Sequence, residues 1–389
     1  MERRRFLSRT AVGATVSLPI SPRSRASDVR GSVDGQFADS DVRVVYDPYD
    51  AVDWRTVTAH KCEFHNHVRG AVTEPAEVVD RYRELDYTVY AVADKGGRPI
   101  AWPWTAFSTI DGAFEDRNPE ELGVVAFPGC EFAYDEHVSS LFSTLAHADV
   151  DGDEITDRWE QSHAIVDRTD HHVPADGGGL AVLAHPFFYY AWSDPDDAWE
   201  RYRTDFEFRT REQGMVGLEV FNRTSILGHD LRLWDALLSV FAPDRLLWGF
   251  GVDDPTEYEL GSDLDVNWTT VLLDDTEFDP TDQPASRRAA ANAMIAGRTL
   301  LHGRETWDPD SEDPAPGPLV DALTVDRDAG AISIEASDYD DLGWVSDGEV
   351  VSTDETISLS ADHVPYVRAH LLNDDGGVTS TQPIGLAEE

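Results

Sequence analysis

From about residue 59 onward, short apolar runs alternate with longer amphipathic stretches. Lys61–Val68, Thr88–Val92, Val124–Pro128, Gly179–Leu183, Met215–Phe221, Leu246–Phe250 and Trp268–Leu273 have the length and composition of strands. Pro75 opens a helical segment at its first turn, a position proline tolerates, and the pattern continues to Leu85. Ala285–Ala296 forms another helical segment. Apolar strands separated by helices predict a parallel sheet covered by helices, and a span of roughly 245 residues suits a (β/α) barrel. The pattern changes after 308–318, a stretch rich in Pro, Asp and Glu that reads as a linker. Ala322–Val325, Ala331–Ala336, Ile357–Ser360 and Tyr366–Leu372 follow, then the turn cluster Asn373–Gly377 and a returning strand, Val378–Thr381. These predict an all-β segment of about 70 residues, a small sandwich.

Composition adds a strong charge. The chain carries 31 Lys+Arg against 75 Asp+Glu, a formal net charge of −44. Lys61 and Lys95 are its two lysines. Such a surface repels nucleic-acid phosphate and anionic membranes, and no nucleic-acid motif is present. Acidic excess with little lysine resembles proteins of salt-accumulating archaea, where it keeps the surface hydrated. Cys62 and Cys130 are too few for a disulfide scaffold, and a bridge requires their strands to meet. Arg3-Arg4-Arg5-Phe6-Leu7 matches a twin-arginine export pattern, and the apolar run Ala11–Ile20 behind it is too short to span a bilayer. The expected organisation is a signal over 1–30, an extension over 31–58, a barrel over 59–307, a linker over 308–318 and a β-domain over 319–389. The expected location is extracellular or at the cell surface.

The chemistry-bearing residues fall at strand ends. His65-Asn66-His67 places two imidazoles on one side of a strand, within reach of one metal. The second strand ends in Asp94-Lys95 and the third in Gly129-Cys130-Glu131, with His137 six residues on. Ala184-His185-Pro186 ends the next, and Gly249-Phe250-Gly251-Val252-Asp253-Asp254 a later one. Polar groups at the C-terminal ends of successive strands are where barrel folds build their sites. Taken singly, His185 could be a hydrogen-bonded core histidine and Glu131 a cap.

The H-x-H opening, the G-x-E, the A-H-P and the late Gly-rich Asp motif, in this order, resemble the PHP (polymerase and histidinol phosphatase) family. Ala293–Leu300 is similar to a helix that ends such barrels. Pro365-Tyr366-Val367-Arg368 and Gln382-Pro383-Ile384 look like the β-domain of exported members. The resemblance covers roughly residues 60–389. It implies a distorted (β/α)7 barrel followed by a small all-β sandwich, holding one to two divalent ions, zinc or manganese. The implied ligands are His65, His67, Glu131, His137, His185 and Asp253, with Asp254 as the alternative register. The implied reaction is phosphoester hydrolysis on a small phosphorylated substrate or another anionic ligand. The chain departs from the family pattern at two points. Lys95 stands where the family has a histidine after Asp94, and Pro255 and Thr256 stand where a late histidine is expected. A protonated lysine has no lone pair for a metal. Lys95, with Asp94 beside it, is therefore a candidate catalytic group whose ammonium replaces a metal charge. Loss of a dispensable ligand in a catalytically inactive binding protein is the alternative.

A second cation site is suggested by Asp149, Asp151, Asp153, Asp157 and Glu160, which occupy positions 1, 3, 5, 9 and 12 of a calcium-loop spacing. Glu154 stands where that loop wants glycine, and an acidic solvated loop explains the same residues. Trp102, Trp104 and Phe107, and the run Phe187–Tyr190 with Trp192, should lie over the barrel mouth, as lid packing or as a stacking surface for substrate.

Overall fold

Strand pairings decide the architecture. The computed structural model describes residues 42–67, 75–93, 117–133, 137–145, 179–187, 215–223, 227–255, 264–304 and 317–388. The N-terminal half contains β1 (Val42–Tyr46), β2 (Val57–Glu63), α1 (Pro75–Glu84), β3 (Tyr87–Tyr90), α2 (Pro119–Leu122), β4 (Val125–Ala126), β5 (Gly129–Ala133), β6 (His137–Leu141) and β7 (Leu180–Leu183). Next come β8 (Met215–Asn222), α3 (Leu227–Phe241), β9 (Trp248–Val252), β10 (Trp268–Asp274), α4 (Gln283–Ala296) and β11 (Thr299–Arg304). The C-terminal strands are β12 (Leu319–Asp326), β13 (Ala331–Ser337), β14 (Asp341–Ser346), β15 (Glu349–Ser352), β16 (Thr356–Ser358), β17 (Tyr366–Leu372), β18 (Gly377–Thr381) and β19 (Ile384–Glu388).

The expected (β/α)7 barrel does not form. The described strands make open sheets of mixed direction, with four α-helices among the described residues. One sheet runs β1-β19-β17-β18-β11-β10-β2-β3-β4, with β14 and β15 joined to it through β17. A second runs β5-β6-β7-β8-β9 and a third β12-β13-β16. Among the described strands, only β2-β3-β4 and β7-β8-β9 are parallel runs. β10 returns antiparallel to β2, with Thr269 opposite Cys62 and Asp274 opposite Val57, and β5-β6 is a hairpin. A parallel barrel needs every strand to advance the same way, so these reversals exclude closure.

The C-terminal strands likewise do not stand apart as a sandwich. β18 pairs antiparallel with β11, Leu301 opposite Ser380, and so extends the sheet that carries β2. The amide of Gln382, wholly buried, donates to Gly249 O (2.7 Å) and accepts from Gly249 N (2.9 Å) at the start of β9. Arg368 on β17 forks onto Asp235 of α3 (3.0 and 2.8 Å), and the Tyr366 hydroxyl donates to the same carboxylate at 2.8 Å.

Buried apolar clusters hold these layers together. Cys62, Phe64, Val89, Phe127, Phe250, Val271 and Met294 form one beneath α4, and each fully buried large side chain contributes about 1.5–3 kcal/mol. The ends of α4 are fixed locally. The Asp282 side chain accepts from Ala285 N, and Gly297, at φ 72°, returns its N–H to Met294 O and so ends the helix. A second cluster surrounds α3 through Leu233, Trp234 and Leu237. Cys62 and Cys130 are buried in different clusters and unbridged. No described helix is long and apolar enough to cross a membrane.

Candidate metal centre

The site is assembled where parallel strands end. Past β2 the backbone stays extended, so Phe64 enters the core while His65 and His67 point to the other side. The His65 N–H donates to Glu63 at 2.5 Å, and the Asn66 side chain donates to Ala91 O at 2.7 Å, fixing this segment against β3. The β5-β6 hairpin brings Glu131 and His137 to the same place, and Ala184 N donates to His137 O. The parallel run β7-β8-β9 delivers His185 and Asp254 at its C-terminal edge, and Asp254 N donates to His65 O at 3.0 Å. Both His185 (φ 25°) and Asp254 (φ 43°) lie in the left-handed region. For residues with a Cβ that costs on the order of 1–3 kcal/mol, a strain characteristic of functional sites.

Glu131 is the hub. Its Oε1 contacts His137 Nδ1, lies 3.1 Å from His185 Nε2 and 3.5 Å from His65 Nε2, while its Oε2 lies 3.4 Å from His67 Nε2. Asp254 Oδ1 is 3.0 Å from His67 Nε2 and 3.5 Å from His65 Nε2, and its Oδ2 is 3.7 Å from His185 Nε2. All these residues are buried. Two overlapping triads result, His65–Glu131–His185 and His65–His67–Asp254, each with ligand atoms within 4.8 Å of one another.

These residues fit a divalent cation. Bonds of about 2.1 Å place neighbouring ligand atoms roughly 3.0–3.4 Å apart around an ion, close to the separations seen. Among the described residues His65 Nε2 and Glu131 Oε2 are buried without a hydrogen-bond partner, which is costly unless something else occupies those lone pairs. Mixed imidazole and carboxylate donors suit zinc, manganese or iron.

A further layer of carboxylates holds the imidazoles. Glu219, in the middle of β8, accepts from His65 Nδ1 at 2.7 Å and from the His185 N–H at 3.0 Å. Asn222 steadies it at 2.8 Å and Ser139 at 3.4 Å. Fixing Nδ1 in this way turns Nε2 of His65 toward the cluster. Glu63 accepts from His65 N and Asp253 N. Burial alone would lower His65, but the carboxylates of Glu219, Asp254 and Glu131 raise it well above the ordinary histidine value. His185 is raised against the same burial by Glu131 and Asp254. Conversely, burial would raise Glu131 and Asp254, but the surrounding histidines, His65 first, hold both carboxyls well below their usual range.

Five of the sequence-derived ligands come together: His65, His67, Glu131, His137 and His185. Asp253 does not join them. Its carboxylate turns away and accepts from the backbone N–H groups of Asp265, Val266 and Asn267 at 2.8, 2.9 and 3.0 Å. Asp254, the alternative register, supplies the late carboxylate instead. Asp94 and Lys95 lie outside the described residues, as do Asp149, Asp151, Asp153, Asp157 and Glu160. Glu219 and Glu63 escaped sequence reasoning. For Glu219 the signal was an ionisable residue amid the apolar run Met215–Phe221.

No protein-family profile matches the chain, and no curated protein matches it in sequence. Among solved structures it is similar to a two-domain protein from Bacteroides vulgatus containing a predicted PHP-like metal-dependent phosphoesterase. The identity is 14%, the TM-score 0.45, and the alignment covers 88% of this chain and 98% of that one. At that distance the likeness carries no functional argument.

Proposed function

We propose that this protein is an exported metal-dependent hydrolase of phosphoester bonds. The observation that carries the reading is the convergence of His65, His67, Glu131, His185 and Asp254, with His65 Nε2 and Glu131 Oε2 buried and without a hydrogen-bond partner among the described residues. His65, Glu131 and His185 would hold one ion, and His67 with Asp254 would extend the site toward a second, zinc or manganese. A divalent ion here would polarise a phosphoryl oxygen and lower the pKa of a water to near neutrality. The rest of the work falls to the chain. Glu219 orients His65, the Asp254 N–H bond to His65 O fixes the distance between two ligand segments, and buried surroundings strengthen each charge interaction. The order of the His65, Glu131, His185 and late Asp motifs supports phosphoester chemistry over other metal-assisted hydrolysis. Lys95 is proposed from the sequence as a catalytic cation in place of a lost histidine ligand, with Asp94 preceding it in the chain. The substrate is a small phosphorylated molecule. Export rests on the Arg3–Leu7 pattern, and calcium at the Asp149–Glu160 segment rests on ligand spacing alone.

The deciding experiment is elemental analysis of the folded protein, paired with phosphomonoesterase and phosphodiesterase assays in Mn²⁺ or Zn²⁺. Bound metal with turnover, both lost in His65→Ala, is expected. A folded wild-type protein with neither sinks the reading and leaves a binding protein.

A further inference from the structure

We infer that Glu63 is a positioning residue that sets the gap between the His65–His67 segment and Asp254, and so governs the second ion of this centre. The inference rests on the metal-centre reading above and adds to it the group that lets the His65–His67–Asp254 triad hold an ion of its own.

Glu63 is the last residue of β2 and is wholly buried. One of its carboxylate oxygens accepts from His65 N at 2.5 Å and the other from Asp253 N at 2.9 Å. A single side chain thus brackets two segments far apart in sequence: the stretch after β2, with His65 and His67, and the turn after β9, with Asp254. The His65–His67–Asp254 triad spans the same gap, with Asp254 Oδ1 3.0 Å from His67 Nε2 and 3.5 Å from His65 Nε2. Asp254 lies at φ 43°, a conformation that persists only where the surroundings enforce it. Two consecutive N–H groups hold it there, Asp253 N on Glu63 and Asp254 N on His65 O. The other triad has a bracket of its own. Glu219 accepts from His65 Nδ1 at 2.7 Å and from His185 N at 3.0 Å, joining both imidazoles of the His65–Glu131–His185 triad. Accepting an N–H at each end requires two acceptor oxygens. Glutamine has an acceptor at one end and an amide donor at the other, which would face a second N–H. Aspartate keeps both oxygens but is shorter by a methylene. Burying a carboxylate is costly, and the nearby Asp253 carboxylate adds repulsion. That cost falls on a contact that fixes ligand spacing.

The rival role is a general brace between β2 and β9, which would act on both ions alike or on neither. Wild-type protein, Glu63→Gln and Glu63→Asp are titrated with Mn²⁺ by calorimetry, with electron paramagnetic resonance spectra taken along the titration. In the wild type, the second equivalent is expected to replace the spectrum of isolated Mn²⁺ with the exchange-coupled spectrum of neighbouring ions. In Glu63→Gln, the first ion is expected to bind as in the wild type and the second about 10- to 100-fold more weakly, so that the isolated spectrum persists. Glu63→Asp keeps the charge but not the reach, and is expected to show the same selective loss rather than rescue. Adding His67→Ala to Glu63→Gln is expected to remove no further ion, and loss of the remaining ion there overturns the assignment to this triad. Wild-type affinity for the second ion in Glu63→Gln overturns the inference, and so does equal weakening of both ions. If Glu63→Gln does not fold, wild-type affinity for the second ion in Glu63→Asp overturns it. A wild-type protein that binds a single ion overturns the inference and leaves the metal-centre reading in place, whereas one that takes up no metal removes both.

Discussion

Asp253 and Asp254 are neighbours in sequence and opposites in role. Asp254→Asn is expected to lower metal affinity sharply while the protein stays folded, because it removes a charged ligand atom near His65, His67 and His185. Asp253→Asn should keep its metal and lose about 1–3 kcal/mol of stability, because its carboxylate gathers three backbone N–H groups. Chelator competition and urea titration on both variants check the pair. Glu219→Gln keeps its shape but not its charge and should weaken metal binding about 10- to 100-fold, measurable by the same competition. The raised pKa values of His65 and His185 fix a pH dependence. In the metal-free fold each ring keeps its proton to a higher pH than in the unfolded chain. That stabilisation is full below about 6.5 and is lost as pH rises through the raised values. Asp253, pushed up to about 7 by burial, acts in the same direction over its own range. Metal needs neutral rings, so its affinity runs the other way. Thermal melts at pH 6 and pH 9 should show the metal-free protein less stable at pH 9, and the gain on adding Zn²⁺ larger there. At this scale the histidines were legible because each sits in a short motif at a strand end. The Asp253/Asp254 choice was not, because alternation counting assumes extended backbone and φ turns positive at Asp254.

Most strands and both long predicted helices were legible as apolar runs and helical patterns. Tyr366–Leu372 was read with its observed bounds, and Ala285–Ala296 lies within α4. Strand direction was not legible, since a run such as Trp268–Leu273 has the same composition whichever way it pairs, and β10 proved antiparallel to β2. The β5-β6 hairpin was missed because its polar positions Glu131, His137 and Ser139 are buried at the site and break the expected apolar pattern. α3 was missed because an apolar helix buried by Leu233, Trp234, Leu237 and Leu238 reads no differently from an apolar run. The pairing of β8 with β9 leaves no room for a side chain at Gly217. A Cβ at Gly217 would sit 2.0 Å from Trp248 O, a backbone atom that cannot step aside. Gly217→Ala is therefore expected to cost more than the roughly 1–3 kcal/mol typical of overpacking. Because β8 carries Glu219 and β9 leads to Asp254, metal affinity should fall with it. Calorimetric melting and metal competition on this one variant read both effects.

For the whole molecule, the change of pattern at residue 319 was legible but its meaning was not, because sheet membership is a property of partners far away in sequence. β18 completes the sheet that carries β2, Gln382 holds Gly249, and Arg368 with Tyr366 binds Asp235 of α3. Deleting residues 319–388 should therefore abolish cooperative folding of the remainder, since it bares the β11 edge and leaves Asp235 buried without its cation. Circular dichroism melts and size-exclusion chromatography of the shortened chain check this, and a shortened protein that melts cooperatively and holds metal contradicts it. The same arrangement bears on synthesis. Every ligand of the cluster lies between residues 65 and 254, yet the strands that brace them extend to Glu388. A ribosome finishes all the ligands long before it finishes their support. The spacing of the cluster's donor atoms therefore depends on strands that lie later in the chain than any of the donors. On the metal-centre reading proposed above, loading of the ion is expected to follow the docking of these strands.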